Sequence, residues 1–502
     1  MKILFVTPEA VPFAKTGGLA DVTGALAKEL SSIGHDVRII MPRYYIIDKD
    51  HWKLKKHDAP LGVPLGRIGT CWAAVYEGFI PDSNVKVYFI EYEHFFGRKG
   101  LYFDETGNGF LDNDNRFAFL SRAAMELSLY LDFIPHVIHS HDWQSAAVPV
   151  FLNTVYAETP LARCASLFTI HNMQHQGDFY EGLMDVLEVS WDHFHPQGLE
   201  KNGKVNLLKG GIYHSTLVNT VSPSYAEEIK TPEFGWGLEG VIRDRGADLY
   251  GIINGIDYDI WNPETDKLIA ANFSSDNLEG KDVCKADLQR AMGLSLRPHV
   301  PVIGIVTRLV FQKGIDLLAT IIDKLLEDMD IQIVLLGTGE VWSHFYFSDA
   351  AERHPGKLGV FIGYNDQLAH KIEAGSDFFL MPSRFEPCGL NQLYSFSYGT
   401  LPIVSARGGL NDTVINLDER TGQGTGFKMF DLTPEALYNT IGWAVHHYYN
   451  SPELIRKMKQ RVMKLRFSWE ESAREYQSLY YEAVKRRIGE RLFFQEFPCF
   501  TN

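Results

Sequence analysis

At 502 residues the chain exceeds what one hydrophobic core ordinarily supports, so two large domains are expected. Apolar residues at 45% and charged ones at 22% describe an ordinary globular protein, while the net charge of −15 argues against a general binder of nucleic acid or anionic membranes. Any anionic ligand must therefore be held by a local basic pocket.

Five scattered cysteines (Cys71, Cys164, Cys284, Cys388, Cys499) without CxxC spacing suit free thiols in a reducing compartment. The apolar run ILFV near the N-terminus is too short for a secretory segment and is closely followed by Pro8 and Glu9. No stretch approaches the roughly 20 apolar residues of a membrane span. The sequence reads as cytoplasmic.

In chain order, KILFVTP predicts a strand, LADVTGALAKELSSIG an amphipathic helix ending at Gly34, and DVRIIMP a second strand. RIGTCWAAVYEGFI and VKVYFIEY, within residues 65–92, predict an antiparallel hairpin. A helix over NRFAFLSRAAMELSLYL leads into the strand PHVIHS, and CASLFTI and STLVNTVS supply two more buried strands. The pattern restarts with VPVIGIVT (strand), GIDLLATIIDKLLED (helix), IQIVLLG, LGVFIG, SDFFLMPS and LPIVSA (strands). Strand–helix alternation in both halves predicts an α/β protein with two Rossmann-like, doubly wound domains: residues 1–250, residues 251–465, and a terminal helix in 466–502 that belongs to neither sheet by pattern.

Open α/β sheets bind ligands beyond the carboxyl ends of their strands, so the residues standing there are the candidates. In the first half these are Lys15-Thr16-Gly17-Gly18, His141 of HSHDW, and His171-Asn172. In the second they are Arg308, Lys313 at the start of the next helix, Gly337, Tyr364, Glu386, and Gly408-Gly409. A guanidinium fork, a lysine and a helix N-terminus can together neutralise a pyrophosphate without a metal, although two surface cations capping loops would read the same way. Gly17 and Gly18 suit a backbone cradle for an anion or a sugar, or a plain tight turn; neither a P-loop nor GxGxxG occurs. His141 reads as a hydrogen-bond donor to a ligand or as a satisfied loop histidine. The histidine pairs 139/141, 171/175 and 193/195 lack a cysteine or a third histidine at ligand spacing, which disfavours a metal site, and four DxD strings make that signal uninformative. Glu386, in SRFEPCGLNQ, can grip sugar hydroxyls or steady a cationic carbon; alternatively it favours the dipole of a helix expected to open at Cys388-Gly389. No second carboxylate at glycosidase spacing is evident.

AKTGGLADV, HSHDWQ, FTIHNMQHQG, INGIDYDIWNP, TRLVFQKG, LLGTGE, IGY, PSRFEPCGL and ARGGLNDTV, in that order from residue 2 to about 485, resemble the motif set of bacterial glycogen synthases and plant starch synthases. The resemblance implies a GT-B fold with a central cleft and a C-terminal helix crossing back to the first domain. It implies a hexosyltransferase that moves glucose from ADP-glucose to the non-reducing end of an α-1,4-glucan (glycogen, starch, malto-oligosaccharides) with retention and without a metal or other cofactor. Its compartment would be the cytoplasm, or the plastid stroma if a transit peptide had been removed.

Carried over, Lys15 reaches the donor together with Gly17 and Gly18, Arg308 and Lys313 hold its diphosphate, and His141 and Glu386 meet the transferred glucose. Gly408 and Gly409 offer amides near the phosphates, Tyr364 lies near the adenine, and Gly337 lines the donor site. Asp21, His171, Asn172, Cys388, Gly389 and Leu390 line the substrate cleft. Eight residues after Glu386 stands Tyr394, where the E-x7-E transferases place a second Glu; this disfavours a carboxylate nucleophile. The alternatives are a GT-B transferase with another nucleotide sugar or a small acceptor, and a non-catalytic glucan-binding homologue; the standing Lys15, His141, Arg308, Lys313 and Glu386 argue against the last.

Overall fold

The structure, a computed structural model, describes residues 1–500. It divides into two compact units. Unit 1 comprises Met1–Val221, Ala226–Gly255 and the chain from Trp469 on; unit 2 comprises Ser222–Tyr225 and Ile256–Ser468. The chain thus changes unit after Gly255 and after Ser468, beside the expected boundaries at 250 and 465, and a four-residue piece leaves unit 1 earlier.

Unit 1 is built on a ten-stranded sheet: β1 (Lys2–Val6), β2 (Asp36–Pro42), β3 (Lys55–Lys56), β4 (Leu61–Pro64), β5 (Thr70–Phe79), β6 (Lys86–Glu91), β7 (Val137–His141), β8 (Ala165–Ile170), β9 (Leu217–Thr220) and β10 (Leu249–Gly251). Its order is β10-β9-β8-β7-β1-β2-β6-β5-β3, with β4 on β5. The central strands are parallel and nearly continuously apolar, as strands covered on both faces must be. β5 runs antiparallel to β6, the hairpin expected from the sequence. Helix α1 (Gly18–Ser32) follows β1, and α2 (Asn113–Tyr130) precedes β7.

Unit 2 carries β11 (Val302–Val306), β12 (Gln332–Gly337), β13 (Leu358–Ile362), β14 (Phe378–Met381), β15 (Leu401–Ser405) and β16 (Phe427–Met429), all parallel, in the order β13-β12-β11-β14-β15-β16. Relabelled within the unit this is 3-2-1-4-5-6, the dinucleotide-fold order. After β11 comes α3 (Ile315–Asp328), which buries Ile315, Leu318, Ile322 and Leu325 along one stripe. Each such aliphatic side chain contributes about 1.5–3 kcal/mol by leaving water. Lys313 does not open this helix as expected: it ends a 3-10 turn, Phe311–Lys313, two residues before the helix starts at Ile315. Helix α4 (Asn391–Ser397) begins two residues beyond the expected Cys388-Gly389 start, because those residues form the loop that carries Glu386; α5 (Gly408–Thr413) follows β15.

The terminal helix α6 (Trp469–Ile488) belongs to unit 1 and packs on α1, β7 and β8. Its buried residues Trp469, Ala473, Tyr476, Tyr480 and Val484 recur at three- and four-residue spacing. Among the described residues no helix is long and apolar enough to cross a membrane.

Candidate active site

Strand order decides where each unit can bind. In unit 1 the chain passes from β1 to β2 on one side and returns to β7 on the other; in unit 2 it passes from β11 to β12 and returns to β14. The crevice at such a reversal is where open α/β sheets take ligands. Lys15–Gly18 and His141 flank the reversal in unit 1, and Arg308, Lys313 and Glu386 flank it in unit 2.

In unit 1 the loop after β1 is held from below. Thr7 and Thr23 hydroxyls both donate to the Glu9 carbonyl, at 2.8 and 2.6 Å. The buried Glu9 carboxylate accepts from the Thr16 amide, the Thr16 hydroxyl (2.6 Å) and the Tyr102 hydroxyl. Lys15 pairs with Asp21 at 2.7 Å; with Lys15 half exposed, the pair adds no more than about 1 kcal/mol to stability. Gly17 is extended (φ −158°), and among the described residues no side chain caps α1 and a Cβ at Gly17 would meet nothing within 4 Å. The helix therefore presents uncapped amide groups beside open space, as an anion or sugar requires.

Across the reversal, β7 ends in His141, fully buried, its Nδ1 3.1 Å from His171 Nε2. The Nε2 of His141 has no hydrogen-bond partner among the described residues. Burial holds His141 well below the ordinary imidazole range, with His139 and His171 pushing it further, and burial takes His171 down to about 3; both rings are neutral at pH 7. Asp142 sits at φ +52°, a conformation costing about 1–3 kcal/mol, and is fixed there by accepting the amides of His171 (2.7 Å) and Asn172 (3.4 Å) on Oδ1. Burial raises its carboxyl to about 7.

His139 faces the interior instead. Thr169 Oγ1 gives its proton to Asn219 Oδ1 (2.6 Å), so it accepts from His139 Nε2–H (2.6 Å), while Nδ1 accepts from Tyr480 (2.8 Å). Asn219 in turn donates to Tyr476 at 3.0 Å. Of the HSH pair, His139 is thus tied to α6 and His141 is the one presented at the strand end. Among the described residues no group of three or more His, Cys, Asp or Glu is placed to hold a metal ion.

In unit 2 the loops after β11 and β14 are knitted together. Lys313 Nζ lies 2.6 Å from Glu386 Oε2, which also accepts from the Ser383 hydroxyl at 2.9 Å. Arg308 donates to Gln312 (3.1 Å), whose amide donates to the Phe385 carbonyl (3.3 Å). Arg384 forks onto Asp316 with two 2.6 Å contacts and stacks on Phe311. Asn391 donates to the Val306 carbonyl (2.7 Å). Glu386 is thus a buried carboxylate paired with a lysine at the strand reversal, and it lies five residues before α4 rather than at a helix N-terminus.

Gly409 takes a different part from the one expected. The Gly409 amide donates to the Glu386 and Pro387 carbonyls (3.1 and 3.2 Å), so it is not offered to a phosphate. Gly408 has φ +45°, and a Cβ there would stand 2.0 Å from the Glu386 carbonyl oxygen; at Gly409 it would stand 2.0 Å from that of Cys388. The glycines let α5 abut the backbone of the Glu386 loop. Gly337 ends β12, Tyr364 stands two residues beyond β13 and is 84% exposed, Cys388 is buried, and Gly389 and Leu390 lead into α4.

Residues 2–244 match the starch synthase catalytic domain family and residues 294–463 the glycosyl transferases group 1 family. The chain is 54% identical over 498 residues to glycogen synthase 1 of Geobacter metallireducens, covering 99% of each. It is 45% identical to the glycogen synthase of Treponema denticola, covering 97% of this chain and all of that one. The chain belongs to the glycogen and starch synthase family. It is a glycosyltransferase of GT-B fold: the catalytic domain of starch synthase IV from Arabidopsis thaliana, solved with ADP and acarbose, matches it with a TM-score of 0.89 at 34% identity, over 96% of this chain and 99% of that one.

Within this synthase the Tyr394 departure has a structural reason. Tyr394, on α4, stacks on Trp261 (centroids 3.9 Å), whose ring also stacks on His370 (4.0 Å). His370 is in turn held by Asp266 at 2.7 Å. The position is part of the packing of unit 2. Three participants were missed by sequence reading: Glu9, Gln312 and Arg384. The last two lie inside the quoted motifs and could have been weighed; Glu9 acts through a contact with a distant segment.

Proposed function

We propose that the protein transfers glucose from ADP-glucose to the non-reducing end of an α-1,4-glucan with retention, using its own cations in place of a metal. The observation that carries this is the Lys313–Glu386 pair, with Arg308 nearby in sequence, at the strand reversal of unit 2. Arg308 and Lys313 would take the diphosphate and stabilise the charge that grows on it as the bond from C1 to phosphate oxygen breaks. Glu386 would bind the glucose and steady positive character at C1. Neutral His141, with Nε2 unspent, would donate to a glucose hydroxyl, and Lys15 with the uncapped start of α1 would add positive potential to the donor. With Tyr394 in place of a second acid, a front-face path is favoured: the acceptor O4 bonds to C1 from the side the phosphate leaves, and its proton passes to the departing phosphate oxygen.

Incorporation of radiolabelled glucose into glycogen, from ADP-glucose and from UDP-glucose, tests the reading, with Glu386→Ala and Lys313→Ala beside wild type. Incorporation from ADP-glucose that both variants lose is expected. Undiminished activity in both would overturn the site, preference for UDP-glucose the donor, and a trapped glycosyl adduct on the protein the front-face path.

A further inference from the structure

The Glu9 carboxylate is buried under the loop that carries Lys15 and takes part in no step above. Its two oxygens accept from both Thr16 donors, one residue beyond Lys15, and from Tyr102. Tyr102 is itself fixed: its carbonyl accepts from the Asn113 side chain at the start of α2 (3.0 Å) and from the Phe110 amide (3.0 Å). The Glu9 carbonyl, holding Thr7 and Thr23, fixes the residue to the end of β1 and to α1. A continuous set of contacts therefore runs from α2 through Tyr102 and Glu9 to Thr16. By contrast, the side chain of the half-exposed Lys15 is held among the described residues by the Asp21 contact alone.

We propose that Glu9 is a positioning residue for glucosyl transfer: its carboxylate, braced by Tyr102, sets the conformation of residues 14–18 and so the placement of Lys15 and the start of α1 against the donor. The proposal rests on the reading that these residues serve ADP-glucose. Three donors converge on two carboxylate oxygens, which an amide cannot accept in full, so Glu9→Gln keeps the shape and breaks the set.

The test uses the full chain with Glu9→Gln and Tyr102→Phe. Initial rates are measured at varied ADP-glucose and varied glycogen, alongside Tm and amide hydrogen exchange of residues 14–18. For Glu9→Gln, kcat/KM for ADP-glucose should fall by about 10²-fold while KM for glycogen stays within about twofold, as expected for a misplaced donor contact. Exchange at residues 14–18 should quicken with little change in Tm. Unchanged kcat/KM, losses shared equally by both substrates, or unchanged exchange at 14–18 would overturn the proposal. Should Glu9→Gln not fold, Tyr102→Phe decides, since it leaves the carboxylate and both Thr16 contacts: a loss of about tenfold in the same direction supports the proposal and none overturns it. If wild type transfers nothing from ADP-glucose, the functional reading fails, while exchange at 14–18 in Glu9→Gln still reports whether Glu9 sets the loop.

Discussion

The two strand reversals use opposite electrostatics. In unit 1 the strand end presents His141, buried and neutral, its Nε2 unspent among the described residues, beside the half-buried, neutral His171. In unit 2 it presents a lysine–carboxylate contact of 2.6 Å, with Arg308 just beyond the end of β11 at Val306. Neutral donors suit a sugar, whose hydroxyls need direction more than charge; paired cations suit a diphosphate. The same kind of strand reversal thus carries two different chemistries, one in each unit.

The largest effects should come from breaking the charged side. Lys313→Ala and Glu386→Ala should each lower kcat by about 10³-fold, and the double variant should fall little further, because the two groups act as a unit. Additive losses would mean that the pair is incidental. Next, Gly408→Ala places a Cβ against the Glu386 carbonyl at φ +45° and should cost about 3 kcal/mol in denaturant unfolding of unit 2. A mild cost would show that the Glu386 loop is free to shift.

Acid should separate the units. Folded His139, His141 and His171 titrate below the ordinary 6.5, so as pH falls through 6.5 the unfolded chain gains protons that the folded one refuses, and unit 1 loses about 1.4 kcal/mol per pH unit for each. Asp142, raised to about 7, returns part of this, since its folded form binds the extra proton. In unit 2 burial takes Glu373 up to about 8, so falling pH stabilises that unit over the same range. Amide exchange in β8 and β12 at pH 7 and 5.5, corrected for intrinsic rates, should show protection lost in β8 alone. Equal changes would remove the contrast. Smallest of all should be the stability effect of Gly17→Ala: extended backbone and open space predict a change within about 1 kcal/mol, while KM for ADP-glucose rises. A large stability loss would make Gly17 structural, like Gly408.

Much of this was legible in the sequence because parallel strands advertise themselves as short apolar runs and the chemistry follows directly after them. Lys15, His141, Arg308 and Glu386 could be placed at strand ends without coordinates. Which amides are spent is not legible there: the position of Gly409 suits a phosphate donor, yet its N–H serves the Glu386 carbonyl. Nor could Glu9 be singled out, since its role depends on Tyr102, ninety-three residues away. Tyr394 read as a missing acid; its place is explained by Trp261, which no local pattern ties to it.

The membership of α6 in unit 1 bears on how the protein is made. β7 and β8 are synthesised early, yet the hydroxyls of Tyr476 and Tyr480 that complete the His139–Thr169–Asn219 chain arrive only after residues 256–468 have emerged. Until then the first-made sheet keeps a buried polar row without its cover, and the second-made unit has every residue from 256 on that it needs. Domains usually finish in the order of translation; here the first begun is the last completed.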